Sequence, residues 1–104
     1  MLDPKVNYLG IFLKDFMKKN KLTQKQFATM CGLKQGNLSR ILSGKVVASL
    51  DSVMKISKRF DFDFNYLLYL RIKNEFDNLY GEGTYERFLK KEKKNDNSIK
   101  GINK

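Results

Sequence analysis

The sequence predicts an all-α protein, with five helices followed by an extra C-terminal helical segment. Apolar residues recur at intervals of three and four along most of the chain, which is the spacing of one face of a helix. Residues that favour helix N-termini, and glycines that favour helix C-termini, separate these repeats. Residues 60–66 alternate aromatic residues with Asp or Asn, as a short strand does. No second strand follows nearby, so we interpret them as a junction between two helices.

The first three predicted helices have marked ends. The first covers residues 7–19, where an apolar stripe is formed by Leu9, Phe12, Leu13 and Phe16. Thr23 is expected to cap the N-terminus of the second helix, and Gly32 to end it, because glycine readily takes a positive φ. The third helix lies within residues 33–45 and ends at Gly44.

The remaining helices follow in the same way. Ser49 is expected to cap the fourth helix and Asp63 the fifth, which covers residues 64–79. The apolar residues at helical spacing in the fifth helix are Phe64, Leu67, Leu68, Ile72, Phe76 and Leu79. After a break at residues 81–83, Thr84 is expected to cap a short sixth helix. From residue 93 onward the chain is too polar to bury an apolar face.

The charge is large and unevenly distributed. The chain has 21 Lys and Arg against 11 Asp and Glu, a net charge of +10. Residues 1–60 have a net charge of +9, residues 61–89 of −3 and residues 90–104 of +4. Such a basic head suggests a polyanionic partner, either nucleic acid or an anionic membrane surface, although basic charge also simply aids solubility. We favour nucleic acid and expect no membrane partner, because no exposed apolar face accompanies the basic residues.

Several classes of protein are disfavoured by what the sequence lacks. There is no His and one Cys, Cys31, so neither a structural zinc site nor an internal disulfide is expected, and no metal or cofactor is predicted. An enzyme is disfavoured because no nucleophile–base pair or phosphate-cradling loop is found. Cys31 falls at a buried position and is interpreted as a small apolar filler. No export signal is recognised, so a cytoplasmic location is expected.

The second and third helices together carry a helix-turn-helix pattern, in residues 24–43. Small Ala28 lies where two helices must approach closely, and Gly32 lies at the turn between them. The apolar residues at the buried positions are Phe27, Cys31, Leu33, Leu38 and Ile41. In this motif the second helix enters the major groove of DNA. Seven positions agree at once, so the signal is far more specific than a single glycine.

Residues 22–68, which begin LTQKQFATMCGLKQGNLSRILSGK, resemble the phage repressor and Cro family of helix-turn-helix domains, the xenobiotic-response-element (XRE) type. The resemblance implies a five-helix, lambda-repressor-like domain that binds a double-stranded DNA operator as a dimer and regulates transcription, and we expect this chain to be a homodimeric repressor. We expect residues 1–70 to form this domain, residues 71–92 a helical extension for dimerisation, and residues 93–104 a disordered basic tail.

The third helix carries the candidate base-reading residues. Gln35, Asn37 and Arg40 project away from the apolar side of this helix. Guanidinium groups suit guanine, and amides suit adenine, so these side chains can read base edges. Gly36 allows the backbone to approach the groove. The alternative interpretation is an ordinary solvated helix face.

Phosphate contacts are expected on either side of these residues. The resemblance implies that Gln24, at the start of the second helix, binds a phosphate, with help from the helix N-terminus. It also places Ser43 and Lys45 where the family contacts the DNA backbone. The further candidates are Thr23, Lys34 and Ser39.

The sequence departs from the family at a few positions. Many members carry an Arg–Glu ion pair at the positions of Met17 and Leu42, which are both apolar here. An apolar pair avoids the cost of desolvating two charges, so the fold is expected to be kept. Ala48 stands where proline is usual, and Asp61 where glycine is usual.

The segment after the resemblance carries many aromatic residues and a net negative charge. A monomer of this size cannot cover all of them on its own, so some are expected to lie in a homodimer interface or under the sixth helix. The candidate interface residues are Tyr69, Ile72, Phe76 and Leu79. The alternative is a docking surface for a toxin or an antirepressor protein, which would make the chain an antitoxin-type regulator of its own operon.

Overall fold

The computed structural model describes residues 6–91, and these residues form six helices and no strand. Five of the helices are α1 (Tyr8–Lys19), α2 (Gln24–Cys31), α3 (Gln35–Ser43), α4 (Leu50–Phe60) and α5 (Phe64–Tyr80). The sixth, α6, occupies residues 84–91. The predicted all-α class with an extra C-terminal helix is therefore confirmed. The expected tail, residues 93–104, lies outside the described residues. None of the described helices is both long enough and apolar enough to cross a membrane.

The helix ends form where local sequence favours them. Thr23, Ser49 and Asp63 each accept a hydrogen bond, through the side chain, from a backbone N–H in the first turn of the following helix. Gly32 and Gly44 end α2 and α3 with φ angles of 74° and 80°. In this left-handed region most side chains are strained, so glycine is favoured at both ends.

The buried apolar residues form one core between the first five helices. Its largest fully buried side chains are Leu9, Leu13, Phe27, Leu38, Leu42, Val53, Ile56 and Leu67. Phe16 lies edge-on to Phe60 and Phe62, with ring centroids 4.9 and 4.8 Å apart. Phe27 stacks on Phe60 at 4.9 Å. Such aromatic pairs add about 0.5–1.5 kcal/mol each beyond the area they bury, so this cluster fixes α2 against α1 and α4.

The departures from the family pattern are accommodated. Met17 and Leu42 are both buried in the core, so no charge has to be desolvated there. Ala48 is also buried. Asp61 ends α4 with φ 55° and ψ 39°, the left-handed conformation that glycine usually supplies. Aspartate tolerates this region better than most residues, which explains how the corner forms without glycine.

Helix α5 buries only part of its apolar residues in the core. Leu67 and Leu70 lie in the core, but Ile72 is 37% exposed and Leu79 is 74% exposed. The apolar residues at helical spacing in α5 are therefore divided between the core and the surface. The buried face continues through the polar residue Asp77, which binds Tyr8 at the start of α1 and the backbone at the start of α6. Helix α5 also crosses the expected domain boundary at residue 70 without a break.

The cap of α6 is supplied by a carboxylate and not by Thr84. Helix α6 starts at Thr84 itself, whereas an N-cap at Thr84 would require the helix to start at residue 85. Asp77 accepts hydrogen bonds from the backbone N–H groups of Gly83 and Tyr85, both at 2.9 Å, and from the Tyr8 hydroxyl at 2.6 Å. Burial raises the pKa of the Asp77 carboxyl, but these hydrogen bonds outweigh burial, and the pKa lies below its ordinary value. The ionised carboxylate thus joins α6 to the start of α1.

Candidate nucleic-acid interface

Helices α2 and α3 are joined by a turn whose geometry is fixed locally. Gly32 takes the left-handed conformation, and the Leu33 N–H then donates to the Ala28 carbonyl at 2.8 Å. Phe27 and Leu38 are fully buried on either side of the turn, and Ala28 is 1% exposed. A side chain larger than alanine at position 28 would separate the two helices. The turn and its apolar contacts therefore set the angle at which α3 is presented.

Helix α3 has one buried and one exposed face. Leu38, Ile41 and Leu42 are buried. The opposite face carries Gly36 and Arg40, which are four residues apart and therefore neighbours on the helix surface. A Cβ built on Gly36 would lie 3.9 Å from Arg40 Nη1, which shows that the guanidinium lies over this glycine.

The other two candidate base readers, Gln35 and Asn37, are the sequence neighbours of Gly36. Gln35 is exposed at the start of α3, whereas Asn37 is half-buried at the edge of the exposed face. The side chains of Gln35, Asn37 and Arg40 make no hydrogen bond or ion pair within residues 6–91. Their donors and acceptors are therefore available to a ligand, with Gln35 in the first turn of α3 and Arg40 in its last turn.

The N-terminus of α3 is open. Lys34 precedes the helix with extended backbone, φ −76° and ψ 137°, and makes no side-chain cap. The first helical hydrogen bond runs from the Leu38 N–H to the Lys34 carbonyl at 3.0 Å, so the amides of residues 35–37 have no helical acceptor. The positive end of the helix dipole is thus left for an external acceptor.

The candidate phosphate-binding groups lie at both ends of this motif. The Thr23 hydroxyl accepts from the Gln26 N–H at 3.1 Å, which leaves its own proton free to donate. Gln24 is exposed in the first turn of α2. The Ser43 hydroxyl donates to the Arg40 carbonyl at 3.1 Å, so a phosphate would have to replace that acceptor. Ser39 and Lys45 are exposed beside them.

The charges around α3 are not compensated within the described chain. The ion pairs of the head are Lys19–Asp15 at 3.0 Å and Lys55–Asp51 at 3.1 Å, both on other helices. Three cations on or next to α3 have no ion-pair partner within residues 6–91, namely Lys34, Arg40 and Lys45. This part of the surface therefore attracts a polyanion.

Cys31 is buried on the inner side of α2. Burial raises the pKa of its thiol to about 11, so the reactive thiolate is scarce near neutral pH. Both observations agree with its interpretation as an apolar filler of the core.

The four candidate interface residues of α5 fall into two pairs. Tyr69 and Phe76 are half-buried against α6, where the Tyr69 hydroxyl donates to Glu86 and the Phe76 ring lies 5.2 Å from that of Phe88. Ile72 and Leu79 lie on the surface. Helix α6 thus covers one pair and leaves the other available.

Sequence reasoning missed the residue that ties α3 to the rest of the molecule. Asn7 Nδ2 donates to the carbonyls of Ile41 and Leu42, at 3.0 and 2.9 Å. Asparagine is a favoured N-cap, and Asn7 does cap α1. That local signal was present in the sequence, but its bonds to α3 span more than 30 residues and follow no periodicity.

The fold and this surface define a helix-turn-helix DNA-binding protein. A family model described as helix-turn-helix matches residues 13–67, just over half of the chain. The chain therefore belongs to this family, the XRE-type helix-turn-helix proteins that include Cro- and CI-like members. No curated protein and no solved structure matches the chain significantly. The family binds DNA and is typically non-enzymatic, and membership makes this chain an XRE-type DNA-binding transcription regulator.

Proposed function

We propose that this protein is a repressor that binds its double-stranded DNA operator as a homodimer and reads the major groove with α3. The observation that carries the proposal is the exposed face of α3, whose amide and guanidinium groups have no partner within residues 6–91. The phage repressor and Cro family that the sequence resembles regulates transcription, and repression requires only that the operator be occupied. Such a regulator would act in the cytoplasm, where bacterial and phage DNA is transcribed.

The chemistry of each reader suits a base. Arg40 can donate two parallel hydrogen bonds to the N7 and O6 atoms of guanine, and Gln35 or Asn37 can pair with the N7 and N6 of adenine. Gly36 lies between Gln35 and Arg40 in the sequence and has no side chain, so it allows the α3 backbone to approach the groove closely. The phosphate contacts would come from Thr23, Gln24, Lys34, Ser39, Ser43 and Lys45.

The test is selection of the binding site from random DNA, followed by measurement of affinity for the selected operator. Arg40→Ala should weaken operator binding by about 5- to 150-fold, the value of one good bidentate contact of about 1–3 kcal/mol. Arg87→Ala is the matched control, because it removes the same charge from an exposed site on α6. If the Arg40 and Arg87 variants bind the operator equally well at the same salt concentration, α3 is not the reading helix.

The homodimer is proposed on geometric grounds. Two heads must lie about 34 Å apart to enter successive major grooves on one side of DNA. Ile72 and Leu79 offer exposed apolar surface on α5, and the half-buried Tyr69 and Phe76 would extend it. An interface formed by this helix in both copies would keep the basic face of each head free.

Replacement of an exposed apolar residue tests the interface without disturbing the core. Leu79→Glu should shift the protein from dimer to monomer in sedimentation equilibrium, because two buried carboxylates would face each other across a symmetric interface. Ile11→Glu on α1, which is 64% exposed against 74% for Leu79, is the control and should leave the dimer intact. A dimer that is equally stable in both variants places the interface elsewhere.

A second candidate is an antitoxin-type protein whose C-terminal part binds a toxin or an antirepressor. The observation that favours it is the exposure of Tyr80 (67%) and Phe88 (41%) in a segment, residues 61–89, with a net charge of −3. Such a surface suits a basic, partly apolar protein partner. Sedimentation of the wild-type protein alone separates the two candidates: a stable homodimer favours the first, and a monomer the second.

A further inference from the structure

We propose that Asn7 is a positioning residue for the DNA-reading helix, and that the C-terminal half of α5 holds Asn7 in place through Asn74. The inference rests on the proposed reading of DNA by α3. It concerns residues outside the stretch that matches the family, which runs from residue 13 to residue 67.

The side-chain amide of Asn7 is completely used by three helices. Its Nδ2 donates to the Ile41 and Leu42 carbonyls at the end of α3, at 3.0 and 2.9 Å. Its Oδ1 accepts from the Gly10 N–H in α1 and from Asn74 Nδ2 in α5, both at 3.0 Å. An amide has two donor hydrogens and two acceptor lone pairs, so every position is occupied and the orientation of the group is determined.

The bonds to α3 hold the end of a short helix. Helix α3 has nine residues, its N-terminus has no side-chain cap, and the last carbonyls of a helix lack partners within the helix. At that end, the Lys45 N–H binds the Arg40 carbonyl at 2.9 Å, while Asn7 takes the next two carbonyls. A shift or tilt of α3 would break both bonds to Asn7, so this residue sets the helix position relative to α1.

Gly10 provides the room for this arrangement. A Cβ at residue 10 would lie 2.8 Å from the backbone oxygen of Leu42 and would also overlap the side chain of Asn7. Helix α1 can therefore approach the end of α3, with the Asn7 amide between them, only because residue 10 has no side chain.

Helix α5 fixes the segment that carries Asn7. Asn74 Oδ1 accepts from the Tyr8 N–H at 2.5 Å, in addition to the bond that Asn74 donates to Asn7. One turn further, Asn78 accepts from the Val6 N–H at 2.8 Å and donates to the Val6 carbonyl at 3.1 Å. Two asparagines of α5 thus bind residues 6–8, but only Asn74 contacts the Asn7 side chain.

The first experiment changes the donors of Asn7 and keeps its acceptors. In Asn7→Asp the side chain still caps α1, because aspartate is an equally good N-cap, but a carboxylate oxygen then faces two carbonyl oxygens. Asn65→Asp is the control, because it adds the same charge at an exposed residue of α5. We expect the ratio of affinity for the selected operator to affinity for random DNA to fall at least tenfold in the Asn7 variant, and less than twofold in the control.

A second pair of variants keeps the proposal testable if Asn7→Asp does not fold. Asn74→Ala removes two bonds, one to Asn7 Oδ1 and one to the Tyr8 N–H, whereas Asn78→Ala removes two bonds to Val6 and none to Asn7. We expect the affinity ratio to fall at least threefold in the Asn74 variant and to stay within twofold of wild type in the Asn78 variant. A loss of stability alone would lower both affinities and leave their ratio unchanged.

The outcomes distinguish failure of the role proposed for Asn7 from failure of the proposed DNA-binding function. If the folded Asn7 and Asn74 variants keep the wild-type ratio, Asn7 does not position the reading helix and the proposal is overturned. If the wild-type protein itself does not distinguish operator from random DNA, the proposed function fails first.

Discussion

Replacement of Gly36 by alanine should change folding and DNA binding in opposite directions. Within the protein, an added Cβ would meet only Arg40 Nη1, at an ordinary van der Waals distance of 3.9 Å. Alanine is favoured over glycine by about 0.8–1.0 kcal/mol in a helix interior. Gly36 is the second residue of α3 and does not lie in the helix interior, so we expect about half of this gain in stability, roughly 0.5 kcal/mol. A gain of this size raises the Tm by about 2–4 °C in a domain of this size.

The effect on DNA follows from the place of Gly36 at the centre of the exposed face. A methyl group there would stand between the α3 backbone and the floor of the groove and would move Arg40 away from its base. Loss of one bidentate contact corresponds to about 1–3 kcal/mol, so operator affinity should fall about fivefold or more. Thermal denaturation and fluorescence anisotropy with the selected operator measure the two effects.

Asn65→Ala provides a positional control for this variant. Asn65 is exposed and is likewise the second residue of its helix, α5, so alanine should also raise the Tm there while leaving DNA affinity unchanged. The reasoning is refuted if Gly36→Ala binds the operator as tightly as wild type, because α3 would then not approach DNA through this face.

Two further predictions concern salt and pH. The logarithm of operator affinity should fall linearly with the logarithm of salt concentration, and Lys45→Ala should flatten the slope by roughly one unit without changing the preferred sequence; a changed preference would make Lys45 a base reader. The pKa of Asp77 is lowered in the folded state, so its contribution to stability is present above its ordinary value of 3.8 and is lost as the pH falls through the folded value. Asp77→Asn should therefore cost about 1–2 kcal/mol at pH 7 in urea unfolding, and the difference should shrink below pH 4, whereas a constant difference from pH 7 to pH 3 would contradict this role.

The helix ends were predictable because the groups that form them are close in sequence. Thr23 and Asp63 cap helices through residues two or three positions away, and Gly44 needs only a positive φ. The helix-turn-helix was predictable for a similar reason, since the residues that form the turn between α2 and α3 lie within residues 24–43. The DNA-contacting roles of single residues in this stretch remain predictions, although the structure places them on or beside one exposed face.

Periodicity alone did not show which residues of α5 enter the core. Ile72 and Leu79 have the spacing of a buried stripe, yet both are exposed, and Asp77 is buried instead. A buried aspartate is stable only with several donors, and here one of them comes from Tyr8, 69 residues away. Apolar spacing shows which residues can share a face, but partners this far apart in the chain decide which face is covered.

The bonds of residues 6–8 to α5 have a consequence for biosynthesis. Asn74 follows Asn7 by 67 residues, and Asn78 follows Val6 by 72, so these contacts are among those of highest sequence separation in the domain. Translation produces α2 and α3 before residues 74–78 are added, and contacts between distant residues generally form late in folding. If Asn7 positions α3, a nascent chain would contain all of α3 before this helix reaches its final position. Newly made protein would then compete for DNA sites only after the second half of α5 has docked, which delays its action relative to its synthesis.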